Sequence, residues 1–98
     1  MSTEDLENFE ADRELKLAQE YQDVAQMFKY AVETERRFYL ANAVDVNVLS
    51  SSDRPLVEVR LTDAWVWDMY RRTRFVPSVR VLTFKDVNVE ALPPREEL

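Results

Sequence analysis

Cysteine, histidine and glycine are all missing from this 98-residue chain, and each absence closes a class of mechanism. Without cysteine there is no disulfide framework, no thiol nucleophile and no thiolate-bound zinc. Without histidine the commonest metal ligand and general base is gone, and Ser-His triads with it. Without glycine no phosphate-cradling loop of the dinucleotide-binding or P-loop kind can form, because those loops need backbone conformations and close approaches that a Cβ obstructs. Tight two-residue hairpins are disfavoured for the same reason, so strands are expected to be joined by longer loops rich in Ser, Asp, Asn and Pro. Long hydrophobic runs are lacking too. Charges interrupt every apolar stretch well short of the ~20 residues of a membrane span, and the first residues carry no basic leader. The expectation is a cytoplasmic protein with no membrane contact, no metal and no cofactor.

What remains is a globular composition, 46% hydrophobic and 33% charged, in a chain long enough for one core and too short for two. Residues 1–92 read as a single domain and 93–98, Pro93-Pro94-Arg95-Glu96-Glu97-Leu98, as a flexible tail. The formal charge of −6 is uneven: residues 1–35 hold ten acids against three bases, and the remainder is close to balanced. A molecule with one acidic arm and a locally basic edge can still meet an anionic partner.

Leu6, Phe9, Leu17, Tyr21, Val24, Phe28 and Val32 recur at helical steps, which predicts one amphipathic helix from Thr3 to about Arg36. Phe28, Tyr30 and Val32 also alternate, so a helix ending near Gln26 followed by a strand over 28–34 is the competing reading. Beyond Arg37 the period becomes two. One strand places Leu40, Val44, Val46 and Val48 on one face. A second, after the Ser50–Pro55 loop, places Val57, Val59, Leu61, Asp63, Trp65 and Trp67 together, and a third runs from about Ser78 to Glu90. The predicted fold is α+β, with one long N-terminal helix on a three-stranded antiparallel sheet in the order α-β-β-β, or on four strands in the competing reading.

Two constellations stand out. Between Met69 and Lys85 there is no acidic residue, while Arg71, Arg72, Arg74, Arg80 and Lys85 are interleaved with Tyr70, Phe75 and Phe84. Arginine with aromatic faces suits a protein hot spot, RNA phosphate and base contacts, or the protein's own acidic helix. Tyr70, Arg71, Arg72, Arg74, Phe75, Arg80 and Lys85 are therefore the candidate binding residues. Asp63, on a face otherwise apolar, is expected to pair with Arg36 or Arg37 as a buried charge pair. A magnesium-dependent site from Asp63, Asp68, Asp86 and Glu58 with Lys85 is disfavoured, since strand alternation turns Glu58 and Asp68 away from Asp63. The chain is read as not an enzyme.

The stretches Val32-Glu33-Thr34-Glu35-Arg36-Arg37-Phe38-Tyr39-Leu40-Ala41-Asn42 and Asp63-Ala64-Trp65-Val66-Trp67-Asp68-Met69-Tyr70-Arg71 resemble a small actinobacterial family catalogued as domain of unknown function 2469. The likeness extends through Arg74-Phe75-Val76, Val79-Arg80-Val81 and Thr83-Phe84-Lys85-Asp86-Val87-Asn88. It implies a cytosolic protein of about this length, uncharacterised, encoded near a ribonuclease HII gene among translation and secretion genes, and it carries no activity or site residue with it. The functional expectation is a non-catalytic protein–protein interaction module, with RNA or ribosome binding through the 70–85 cluster as the alternative. Val66, Leu82 and Phe84, beside the small Ala41, Ala43 and Ala64, leave a second sheet face to cover, and a homodimer is expected to cover it.

Overall fold

The computed structural model describes residues 3–50 and 53–94. Helix α1 spans Thr3–Val24 and tightens into a 3-10 turn at Ala25–Met27. Five strands follow: β1 Tyr30–Glu33, β2 Phe38–Val48, β3 Val57–Val66, β4 Phe75–Thr83 and β5 Asn88–Ala91. All pairings are antiparallel, and the strands lie in the order β4-β3-β2-β1-β5. The α+β class stands, with five strands in place of three or four.

The helix does not reach Arg36. Glu4 and Asp5 suit the positive end of its dipole, but no basic residue occupies its last turn. At Phe28 the backbone turns extended (φ −119°, ψ 153°), where aromatic and β-branched residues favour a strand. The shorter-helix reading is the one observed. The expected third strand over 78–90 is two elements: β4 starts earlier, the chain bends at 84–87, and β5 pairs with β1 at the opposite edge. Of the expected tail, residues 95–98 lie outside the described residues.

That last connection dictates the shape of the sheet. Thr83 is level with Val57 and Val48, whereas Asn88 is level with Glu33 and Phe38, at the other end of the 11-residue β2. Flat, those levels would be ~33 Å apart along the strands and ~19 Å across them. A four-residue link reaches at most about 18 Å. The sheet must therefore coil over on itself, and the hydrogen bond donated by the Thr83 hydroxyl to Glu35 Oε1 (3.1 Å) marks where it does.

The corner lies in one row of residues, Asn42, Asp63 and Pro77, where the ladder is interrupted without a change of register. Asp63 has φ 56°, left-handed backbone that asparagine, aspartate and glycine tolerate best; with no glycine in the chain, an aspartate fills the role. Across this row the side chains change face together. Tyr39, Ala41, Ala64 and Val66 on one side of the row join Val44, Val59, Leu61, Val79 and Val81 on the other in one core inside the coil, with Val32 and Val87. A second core lies under the helix, where Leu17, Val24 and Phe28 pack on Leu40 and Trp65. Val32, Leu40, Val59 and Leu61 are fully buried, each contributing roughly 1.5–3 kcal/mol of transfer free energy.

The inversion corrects three expectations. Leu40 lies beneath the helix while Val44 packs into the coil and Val46 and Val48 are exposed, so these four residues of β2 do not share one buried face. Val59 and Leu61 face away from Trp65, which lies fully buried beneath the helix. Asp63 is exposed and accepts a hydrogen bond from Asn42 Nδ2 (2.8 Å) rather than pairing with Arg36 or Arg37. Arg37 instead approaches Asp68 (3.7 Å), and the acid that is buried and paired is Glu58, held by Arg60 (2.9 Å) and Arg80 (2.6 Å). Strand alternation fails at Asp63 because it assumes an unbroken pleat.

Candidate functional site: the projecting helix and the 67–74 loop

Only the second half of α1 packs. Leu17 and Val24 are buried, but the same stripe continues through Phe9 and Leu6, which are 52% and 46% exposed. Half the helix thus projects past the sheet. The radius of gyration is 16.0 Å, against about 13 Å for a compact 100-residue domain. The helical steps of the sequence place Leu6 and Phe9 on one stripe with Leu17 and Val24, and only the later part of that stripe is buried. The missed signal was the density of acids around Leu6 and Phe9, since Glu4, Asp5, Glu7, Glu10, Asp12 and Glu14 leave only a narrow apolar stripe.

The β3–β4 loop, residues 67–74, is fastened to this helix. Val66 N–H donates to the Arg74 carbonyl (2.9 Å) and closes the loop, and inside it Tyr70 N–H donates to Asp68 Oδ1 (3.1 Å) and Arg71 Nε to the Thr73 carbonyl (3.1 Å). From the helix, Arg13 donates through Nε and Nη2 to the Met69 carbonyl (3.0 and 2.8 Å). The Tyr70 hydroxyl donates to Glu10 Oε1 (3.0 Å), which raises the phenol above its ordinary pKa. Glu20 is the principal junction: it accepts from the buried Trp65 indole N–H (3.0 Å) and from Arg74 Nε (2.7 Å), with Arg74 Nη2 in contact as well. Burial alone would raise the Glu20 carboxyl, but the bonds from Arg74 and Trp65 outweigh it and hold the group below the usual carboxylate range.

Between helix and loop runs an open groove of about 250 Å³, with Phe9, Leu17 and Met69 supplying apolar surface and Asp12, Arg13, Lys16, Glu20 and Arg74 supplying charge of both signs. Of the candidate binding residues Arg74 lines the groove; the same loop carries Tyr70, Arg71 and Arg72, all exposed, and is followed by Phe75, half-exposed and stacked on Phe28 with ring centroids 6.3 Å apart. Five of the seven candidate binding residues, Tyr70, Arg71, Arg72, Arg74 and Phe75, are therefore brought together. Arg80 and Lys85 are not: Arg80 is committed to Glu58 toward the far end of β4, and Lys85 lies in the following bend, where its N–H donates to Thr83 Oγ1 (2.9 Å). The stretch without acids in sequence acquires them in space, from Glu10, Glu20 and Glu58.

The second sheet face also differs from expectation. Ala41, Ala64 and Val66 are buried inside the coil, and Leu82 and Phe84 remain about half exposed, the Phe84 ring beneath the Arg54 guanidinium at 5.5 Å. No helix among the described residues is long and apolar enough to cross a membrane.

Two uncharacterized mycobacterial proteins, Rv2901c of Mycobacterium tuberculosis and Mb2925c of Mycobacterium bovis, are each 55% identical to the chain over 96 residues, covering 98% of it and 95% of their own length. No solved structure matches. The profile of the family described as "Protein of unknown function (DUF2469)" spans residues 1–98, and the chain belongs to that family.

Proposed function

We propose that the chain is a non-catalytic, cytosolic protein–protein interaction module whose contact surface is the projecting half of α1 together with the 67–74 loop. The observation that carries this reading is the apolar stripe of α1, which continues past the sheet as exposed Leu6 and Phe9 into a groove of mixed charge. Exposed large apolar side chains rimmed by charge, with Tyr and Arg at the edge, match the composition of binding hot spots. The partner is a protein rather than RNA because the carboxylates of Glu10 and Glu20 stand among the arginines and would repel phosphates. A second copy of the chain is the simplest such partner, giving a homodimer through this surface.

Affinity isolation from native cytosol tests the reading. A stoichiometric partner is expected on the wild type, lost on Leu6→Glu/Phe9→Glu, weakened on Arg71→Glu/Arg72→Glu and retained on Phe84→Glu. Equal recovery on all four would refute the assignment, and recovery of nuclease-sensitive RNA in place of protein would transfer it to the RNA reading.

A further inference from the structure

The four-residue turn between β1 and β2, Thr34 to Arg37, is tied by its own hydrogen bonds and carries two adjacent arginines, and the surface reading above makes no use of them. Thr34 N–H donates to the Arg37 carbonyl (2.9 Å), and Thr34 Oγ1 accepts from the Arg36 and Arg37 N–H groups (3.4 and 3.2 Å). The side chain supplies the turn bonds that glycine-containing hairpins obtain from backbone alone. Because the sheet coils, this turn faces the free edge of β4 across a slot of about 350 Å³, lined by Arg36, Arg37, Tyr39 and Glu35 on one side and by Arg80 to Leu82 on the other.

Three guanidinium groups line this slot with the Glu35 carboxylate, and Glu58 and Asp68 stand against Arg80 and Arg37. Glu35 is engaged by the Thr83 hydroxyl, and the arginines are far from saturated, each having five donor hydrogens. Arg80 spends Nε on Glu58; Arg37 gives Nη1 to the Arg36 carbonyl (3.1 Å) and approaches Asp68; the Arg36 side chain has no ion pair among the described residues. Tyr39 is buried apart from its margin, and its hydroxyl makes no hydrogen bond among the described residues. Burial raises this phenol above its ordinary pKa, so it is a neutral donor at pH 7. Guanidinium forks and a hydroxyl lining one slot from two elements are donors that suit a phosphate dianion, and the half-exposed Leu82 offers apolar surface beside them.

We propose that this slot binds the phosphate group of a small phosphate monoester, held by Arg36, Arg37 and Arg80 with the Tyr39 hydroxyl as a further donor. The slot shares no lining residue with the α1 groove, although Arg37 reaches Asp68 of the 67–74 loop, and the proposal does not rest on the reading given for that surface. Calorimetric titration with inorganic phosphate and with adenosine monophosphate at pH 7.5 and low salt is the test. Saturable binding is expected, weakened about tenfold or more in Arg36→Glu and measurably in Tyr39→Phe, and unchanged in Lys29→Glu, which removes an exposed cation at the opposite end of β1. Affinity should fall at pH 5.5, where the ligand becomes a monoanion. Tighter binding of the nucleotide identifies an organic ester as the ligand, and equal binding identifies free phosphate. No saturable binding of either at millimolar concentration, or equal weakening by Lys29→Glu and Arg36→Glu, would overturn the proposal.

Discussion

Replacing Glu20 tests the joint between helix, sheet and loop. In Glu20→Ala the indole N–H of Trp65, a fully buried residue, loses its acceptor. An unsatisfied buried donor costs about 1–3 kcal/mol. Arg74 also loses its carboxylate; with both side chains about a quarter exposed (22% and 24%), screening limits that share to about 0.5–1 kcal/mol. The loss of roughly 1.5–4 kcal/mol is large beside a total of about 5–15 kcal/mol for a domain of this size. In Glu20→Gln an amide oxygen remains for the indole, so about 1 kcal/mol should be lost. Urea unfolding followed by tryptophan fluorescence reads both, and the gap between the variants isolates the indole bond. If Glu20→Ala unfolds within 0.5 kcal/mol of wild type, or the two variants coincide, the junction does not hold the helix as described.

The remaining predictions concern pH, the corner and assembly. Glu20 and Glu58 have folded-state pKa values below their unfolded value of about 4.3, so their contribution is fully present above that value and lost as pH falls through the folded values. The stability gap between wild type and Glu20→Gln should therefore be constant from pH 6 to 8 and close in acid; a gap that widens in acid would contradict the assignment. Asp63→Gly should leave stability unchanged or raised, because glycine carries no left-handed penalty, while Asp63→Val should lose about 1–2 kcal/mol by chemical denaturation. Light scattering at micromolar concentration should give a dimer mass that reverts to monomer in Leu6→Glu/Phe9→Glu; a monomer in the wild type restricts the partner to another chain.

Local periodicity made the helix start, the presence of β2 and β3 as strands and the core role of Trp65 legible, because alternation and helical steps report an element even where its facing is lost. The alternation of Phe28, Tyr30 and Val32 also signalled β1, against the helical steps that overlap it. Three features were not legible. β5 is exposed along its whole length and carries no burial pattern; only pairing with β1 defines it. The corner at Asp63 depends on one backbone angle, and every facing assignment beyond it inverts with that angle. The acids that pair with Arg74 and Arg80 and accept from the Tyr70 hydroxyl come from α1 and β3, so a linear count of charge overstated the basic surface. The clustering of residues 70–75 was readable because they share one loop, whereas the meeting of Arg36 and Arg37 with Arg80 requires the coil.

Site-specific photocrosslinking tests the central claim most directly. A photoreactive phenylalanine analogue at Phe9, compared with the same group at Asn47 on the exposed end of β2, should give one discrete protein adduct from Phe9 in native cytosol and none from Asn47, with the adduct abolished by Leu6→Glu. Adducts of equal yield from both positions, or none from Phe9, would contradict the account that the projecting half of α1 is the contact surface.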